Sequence, residues 1–354
     1  MELLKQLYSI HSMSGQEGAM RKFVKNFVKG IPGDITLRQD HGNIYITKGD
    51  AETYPCLVAH LDQVQTKHSP DFRVFETDGC LFGYSLTNRR VEGLGADDKN
   101  GIWIALKCLE RFPALKVAFF KEEEIGCGGS RIADMAFFKD CRYCIQADRR
   151  NGGDLITDIG GAICSEDFIK DIQPLMDRHG YKKTSGLMTD VETLSDKGVG
   201  ISCINLSCGY YDPHTDHEYT KIDELYNALG FVWGILKTLD KVYPHVKPEP
   251  DYSWFDRYMW PGYTYGGASS KMYYANDPEI PELADYAHPE DWIEDLVYYN
   301  FDSDPEVVYP FVSADWEDTL GLDKEMFLDA WYGALNDIYG DPEFEENLQT
   351  AYAG

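Results

Sequence analysis

The chain has 354 residues, 43% of them hydrophobic, and a formal net charge of −27. That length supports one large domain or two ordinary ones. So acidic a protein speaks against nucleic acid as a partner, because phosphate recognition needs a basic face, and no apolar run reaches the roughly 18 residues of a membrane span.

Residues 1–10 mix apolar and charged side chains at helical spacing. They lack the basic start and apolar block of a secretory signal. A second helix is predicted over 15–29, then strands at 35–38 and 43–47. Residues 55–60 form a continuous apolar run, the mark of a central strand covered on both faces. Two short strands (72–76 and 80–84) lead to a glycine-flanked turn at Asp97 and a helix over 98–111. A second buried strand, 115–120, runs into Glu122, Glu123 and Glu124. Next come a helix near 128–136, a strand at 143–147 and helices at 165–179 and 190–195. A strand at 201–207 and a helix at 222–239 complete the alternation. This pattern predicts an α/β fold, a mainly parallel mixed sheet sandwiched by helices.

The prolines of 243–250 read as a linker, so the chain divides into 1–243 and 244–354. From Pro244 onward there are 25 acids against 4 bases. That stretch is also rich in Tyr and Trp, which predicts a small folded appendage rather than an acidic disordered tail, with helices at 288–299 and 323–339. The nine cysteines, odd in number and with no signal peptide, point to reduced thiols in a cytoplasm. Cys141 and Cys144 make a C-x-x-C inside a strand-like run and read as structural.

Five segments hold the chemistry. His60 and Asp62 share a face at a strand end, and Asp62 can orient the histidine directly or indirectly. Asp97 stands where a carboxylate can bridge two cations, and Asp98 can cap the following helix or hold Asp97. Of Glu123 and Glu124, one can bind metal while its neighbour reaches an attacking water; strand alternation sends them in different directions. Asp148 ends a strand as a terminal ligand. The last histidine is His214 or His217. Two imidazoles with three carboxylates suit two Zn²⁺, with Mn²⁺ or Co²⁺ as substitutes. His11, His41, His68, His179, His245 and His288 have no such companions and read as surface or structural.

The ordered set Gly95-Ala96-Asp97-Asp98-Lys99-Asn100-Gly101, Glu123-Glu124-Ile125-Gly126 and His214-Thr215-x-x-Glu218 resembles the co-catalytic di-zinc exopeptidases. These are peptidase T and the leucyl and glutamyl aminopeptidases. Ser185-Gly186-Leu187-Met188-Thr189-Asp190 loosely resembles a substrate-side turn of the glutamyl enzymes. The likeness covers about residues 1–240. It implies that Asp97 bridges two metals and that His60 and Asp148 complete one site. Glu124 and His214 then complete the other, Glu123 is the general base, Asp62 stands behind the ligands and the Asp97–Asp98 bond is cis. Only about 65 residues separate Asp148 from His214, and 37 separate His60 from Asp97. Neither gap holds the lid domain these relatives insert, so the catalytic domain is expected to be lidless.

The expected activity is hydrolysis of short peptides by a cytoplasmic metallopeptidase, with oligomerisation left open. Deacylation of N-acyl amino acids, or a non-catalytic binding protein of the same fold, are the alternatives. The acidic appendage either shapes access to the site or acts as a solubilising or partner-binding segment.

Overall fold

The computed structural model describes residues 1–248, the helix Lys324–Tyr339 and single positions between Trp292 and Val312. The chain divides into two units, Met1–Pro261 and Gly262–Gly354.

The first unit opens with α1 (Glu2–Tyr8) and α2 (Gly18–Lys29). Met20, Val24 and Val28 of α2 recur every four residues and are buried, the stripe of a helix lying on a core. Strands β1 (Ile35–Asp40), β2 (Asn43–Lys48) and β3 (Tyr54–His60) follow. Then come β4 (Phe72–Thr77), β5 (Cys80–Ser85), β6 (Arg90–Glu92), α3 (Ala96–Arg111) and β7 (Leu115–Phe120). After α4 (Gly128–Arg131) and a 3₁₀ turn at Met135–Phe138, β8 (Cys141–Arg149) and β9 (Asp154–Asp158) lead to α5 (Glu166–His179). The unit continues with β10 (Lys182–Ser185), α6 (Asp190–Asp196), β11 (Cys203–Ser207), β12 (Tyr210–Tyr211), β13 (Tyr219–Lys221) and α7 (Ile222–Thr238).

Local chemistry sets the ends of these elements. Ser165 caps α5 by accepting from the Phe168 N–H at 3.2 Å, Glu166 and Asp167 sit in its first turn, and Gly180 ends it at φ 76°.

The main sheet has eight strands in the order β1-β2-β7-β3-β8-β11-β9-β10. Its centre, β7-β3-β8-β11, is parallel. Antiparallel pairs flank that centre: β1 with β2, β2 with β7, and β9 with β11. The expected mixed α/β sheet is present. A smaller sheet, β12-β13-β5-β4 with β6 beside β5, packs the two hairpins together.

Every residue of β3 and β7 is buried, and parity divides them between two layers. Leu57, Ala59, Val117 and Phe119 join the large core with α1, α2, α3, α5 and α7. Cys56, Val58, Ala118 and Phe120 join a second core with Val191 and Leu194 of α6. Helices therefore cover both faces, and the polar ends of the central strands are left as the open edge.

Residues beyond Tyr243 continue along this unit: the His245 N–H donates to Gly200 O at 3.1 Å, and Lys247 pairs with Glu192 and Asp196. In the second unit Trp292, Ile293, Leu296, Val297, Phe327 and Trp331 gather in an apolar cluster of their own. The helix expected at 323–339 is there. The one expected at 288–299 is helical at its four described positions, and its remainder lies outside the described residues. No described helix is long and apolar enough to cross a membrane.

Candidate metal centre

Parallel strands deliver their carboxyl ends to one edge of the sheet, where ligands of such folds gather. His60 is the last residue of β3 and is fully buried. Asp148 lies one residue from the end of β8. Glu123 and Glu124 follow β7 in a turn. Asp97 stands in the first turn of α3, and its bond to Asp98 is cis. His214 comes from the loop between β12 and β13, half-exposed at the rim.

These six side chains converge. His60 Nε2 lies 3.1 Å from Asp97 Oδ1, 3.7 Å from Asp148 Oδ1 and 3.9 Å from Glu123 Oε2. His214 Nε2 lies 3.3 Å from Asp97 Oδ2 and 3.0 Å from Glu124 Oε2. His217 is exposed and makes no side-chain contact with the cluster among the described residues. Asp98 also brings an oxygen within 4.8 Å of donor atoms on His60 and Asp148. Its two oxygens, however, accept the backbone N–H groups of His60 (3.2 Å) and Gly101 (3.0 Å). That leaves Asp97 as the carboxylate facing both imidazoles. Gly101 permits the cap, since a Cβ there would meet Asp98 Oδ1 at 2.3 Å.

Asp62 organises the glutamates. It accepts the N–H of Glu123 at 3.0 Å, the N–H of Glu124 at 3.2 Å and the Ser14 hydroxyl at 2.8 Å, and it lies 3.4 Å from His60 Nδ1. The expected strand alternation of Glu123 and Glu124 does not occur, because β7 stops at Phe120 and the backbone turns at Glu122, φ 52°. Two successive N–H groups anchored on one carboxylate aim both glutamates at the site instead. Glu122 leaves the cluster and pairs with Lys121 at 2.7 Å.

The electrostatics are those of crowded acids. Burial, then the Asp97 charge, pushes Glu124 up to about 7. Burial likewise raises Glu123 well above the carboxylate range, helped by the Asp148 and Asp190 charges. Burial disfavours charge on His60, yet Asp148, Asp62 and Asp97 outweigh it and hold the imidazole pKa high. Hydrogen bonds to Asp97 and Glu124 raise His214 to about 11. Such a group of donors calls for cations.

Several supports escaped the sequence. Glu218, fully buried, accepts the Asp97 N–H at 3.2 Å. Tyr210 and Gln146 donate to Asp148 at 3.1 and 3.0 Å, and Asn205 brackets its backbone. Lys99, buried beside them, donates to Gln63 and to Leu94 O. Glu218 stood in view four residues after His214; nothing local marked the others.

No family model matches the sequence, and no curated protein matches it. Solved structures share the fold. The aminopeptidase PepT from Bacillus cereus is 13% identical, with a TM-score of 0.51, over 67% of this chain and 97% of that one. A tripeptidase from Staphylococcus aureus is 15% identical, with a TM-score of 0.52, over 67% and 96%. An aminopeptidase from the archaeon Desulfurococcus kamchatkensis is 18% identical, with a TM-score of 0.51, over 67% and 94%. The chain thus has the fold of these peptidases, as its motifs implied, and it spans nearly their whole length.

Proposed function

We propose that this chain is a metal-dependent exopeptidase acting on short peptides. Two zinc ions are held by His60, Asp97, Glu124, Asp148 and His214, Glu123 is the general base and Asp62 is a positioning carboxylate. The observation that carries the reading is Asp97, whose two oxygens face different histidines, at 3.1 and 3.3 Å. Each histidine stands with a further carboxylate, Asp148 or Glu124, so the donors sort into two sets sharing one residue. Glu124 Oε1 is buried with no hydrogen-bond partner, which suits an oxygen that would ligate a cation. Nitrogen donors mixed with carboxylates suit zinc, with Mn²⁺ or Co²⁺ as substitutes.

Bound at this place, such cations acidify a water and polarise a carbonyl. The chain's own residues do the rest. Glu123 Oε2 takes the proton of the attacking water and passes it to the departing nitrogen. Burial, with the Asp148 and Asp190 charges, raises its pKa, the direction a general base needs. Asp62 fixes the backbone of both glutamates, and Tyr210 holds Asp148 in place. The likeness in fold to aminopeptidases and a tripeptidase supports peptide rather than N-acyl substrates. All nine cysteines are free thiols, which supports a reducing, cytoplasmic location. The acidic stretch 244–354 is taken as an appendage to this catalytic domain.

The test is a panel of free and N-acylated di- and tripeptides with protein loaded with Zn²⁺, Mn²⁺ or Co²⁺. Release of a terminal residue from free peptides is expected. No turnover with any metal overturns the reading, and cleavage of acylated substrates alone shifts it to a deacylase.

A further inference from the structure

We propose that Cys56 and Cys144 are a modification site, a thiol pair that hydrogen peroxide converts to a disulfide tying β3 to β8. Both stand in the amino-terminal halves of their strands, whereas His60 and Asp148 stand at the carboxyl ends. The pair is therefore separate from the candidate metal centre and independent of the peptidase reading.

Sheet register builds the site. Lys116 of β7, Cys56 of β3, Cys144 of β8 and Cys203 of β11 are successive partners across four parallel strands. Direct partners on neighbouring strands point to the same face. The three thiols accordingly share one apolar layer, each 0% exposed. Neighbouring strands lie about 4.8 Å apart, inside the roughly 4.4–6.8 Å between Cα atoms that a disulfide spans. Cys141 is a poorer partner for Cys56. It pairs in register with Tyr54, which makes it a diagonal neighbour at about 7–8 Å, at the limit of a bridge. Cys203 is separated from Cys56 by the whole width of β8.

Peroxide reacts with a thiolate rather than a thiol. Burial disfavours charge on Cys56, yet the Cys141 and Cys144 thiols beside it, and then the Lys116 charge, outweigh burial and lower its pKa to about 5. Cys144 goes the other way, raised by the Cys203 and Cys56 thiols and then by burial. Cys56 is thus the attacking sulfur and Cys144 the resolving one. Lys116 links the layer to solvent: its Nζ donates to Phe137 O at 2.7 Å and pairs with Asp140, whose side chain is 41% exposed. In the first step the Cys56 sulfur attacks one peroxide oxygen. An S–O bond forms, the O–O bond breaks, and the departing hydroxide leaves as water with the proton Cys56 gave up. The Cys144 sulfur then attacks the Cys56 sulfur. An S–S bond forms, the S–O bond breaks, and the second hydroxide leaves as water with the Cys144 proton. Two thiols lose two electrons and two protons, and the peroxide is reduced to two waters.

The test is hydrogen peroxide treatment of the reduced, folded full-length chain, then alkylation in denaturant and peptide mapping by mass spectrometry. A link between Cys56 and Cys144 is expected, with a mass loss of about 2 Da and full reversal by dithiothreitol. Mapping separates this link from oxidation of Cys80, the one thiol that is not buried. Cys108 is the internal control: burial raises its pKa, and it should stay reduced at the dose that links half of the pair. Cys56→Ala is expected to slow loss of the Cys144 thiol about tenfold or more. A link from Cys56 to Cys141 or Cys203, sulfinic acid at Cys56 without a link, a Cys56 thiol that survives excess peroxide, or loss of Cys56 and Cys108 at similar rates each overturns the proposal. The wild-type map alone gives these outcomes, so none requires the variant to fold.

Discussion

The early halves of β3, β8 and β11 carry thiols, and polar residues of the candidate site follow further along the same strands. Cys56 is paired in register with Cys144, and Cys144 with Cys203, so three cysteines lie abreast in the apolar layer that also holds Cys141. A few residues further along the same strands stand His60, Asp148 and Asn205. The backbone frame is common to both regions, but the environments are opposite. The thiols tolerate burial with weak partners. The carboxylates do not, and three of them are anchored by neighbours: Asp62 by two backbone N–H groups, Asp98 by two more, Asp148 by Tyr210 and Gln146. A buried polar end that carries this much support is built for a purpose other than stability.

The comparison predicts that changes at the polar end alter function while those at the thiol end alter stability. The largest effect is expected from Glu123→Gln. Peptide turnover should fall by roughly 10²–10⁴-fold, while zinc content by mass spectrometry stays at the wild-type value. Loss of zinc in this variant would make Glu123 a ligand instead of a base. Next comes Asp62→Ala, which frees His60 and both glutamate N–H groups. Zinc affinity, measured by competition with a chelator, should weaken by about 10–100-fold. An unchanged affinity would reduce Asp62 to a bystander.

At the thiol end, Cys144→Ser places a hydroxyl among apolar side chains. Urea unfolding of the zinc-free protein should show a loss of about 1–3 kcal/mol, with zinc affinity of the folded protein preserved. A fall in affinity there would erase the division between the two regions.

The smallest effect concerns His68, stacked on Phe72 with centroids 4.0 Å apart. Burial, and then the Lys99 charge, lowers its pKa from 6.5 to about 3. The unfolded chain therefore binds a proton that the folded one refuses. Its stabilising effect is full above pH 6.5 and declines as pH falls toward about 3. Urea midpoints at pH 7.5 and pH 5 should thus differ more for wild type than for His68→Gln. Equal differences would show that His68 does not contribute to acid sensitivity.

Much of the frame was legible because its signals are local. The apolar runs of β3 and β7 mark strands buried on both faces, and Met20, Val24 and Val28 mark a helix face. Strand β9 and the edge strand β10 were not foreseen: Lys182–Ser185 is mostly exposed and gains its strand form only by pairing with Asp154–Asp158. Among the candidate site residues, His60, Asp97, Glu124 and Asp148 stood out in the sequence at or near element ends, as did His214 with His217 as its alternative. Tyr210 was not, and Glu218 was in view without its role, since both roles depend on the β12–β13 hairpin folding back over α3.

By itself the sequence determined the α/β alternation, the order of the donor residues and the acidity of the carboxy-terminal third, all properties of neighbours along the chain. Tertiary structure decided that His214 faces Asp97, that one Asp62 carboxylate aims two glutamates, and that Arg149 and Arg150 share a cavity with them. The physical reason is range. Periodicity and capping act within a few residues, whereas an electrostatic site is defined by distances of a few ångströms between side chains brought together from distant parts of the chain.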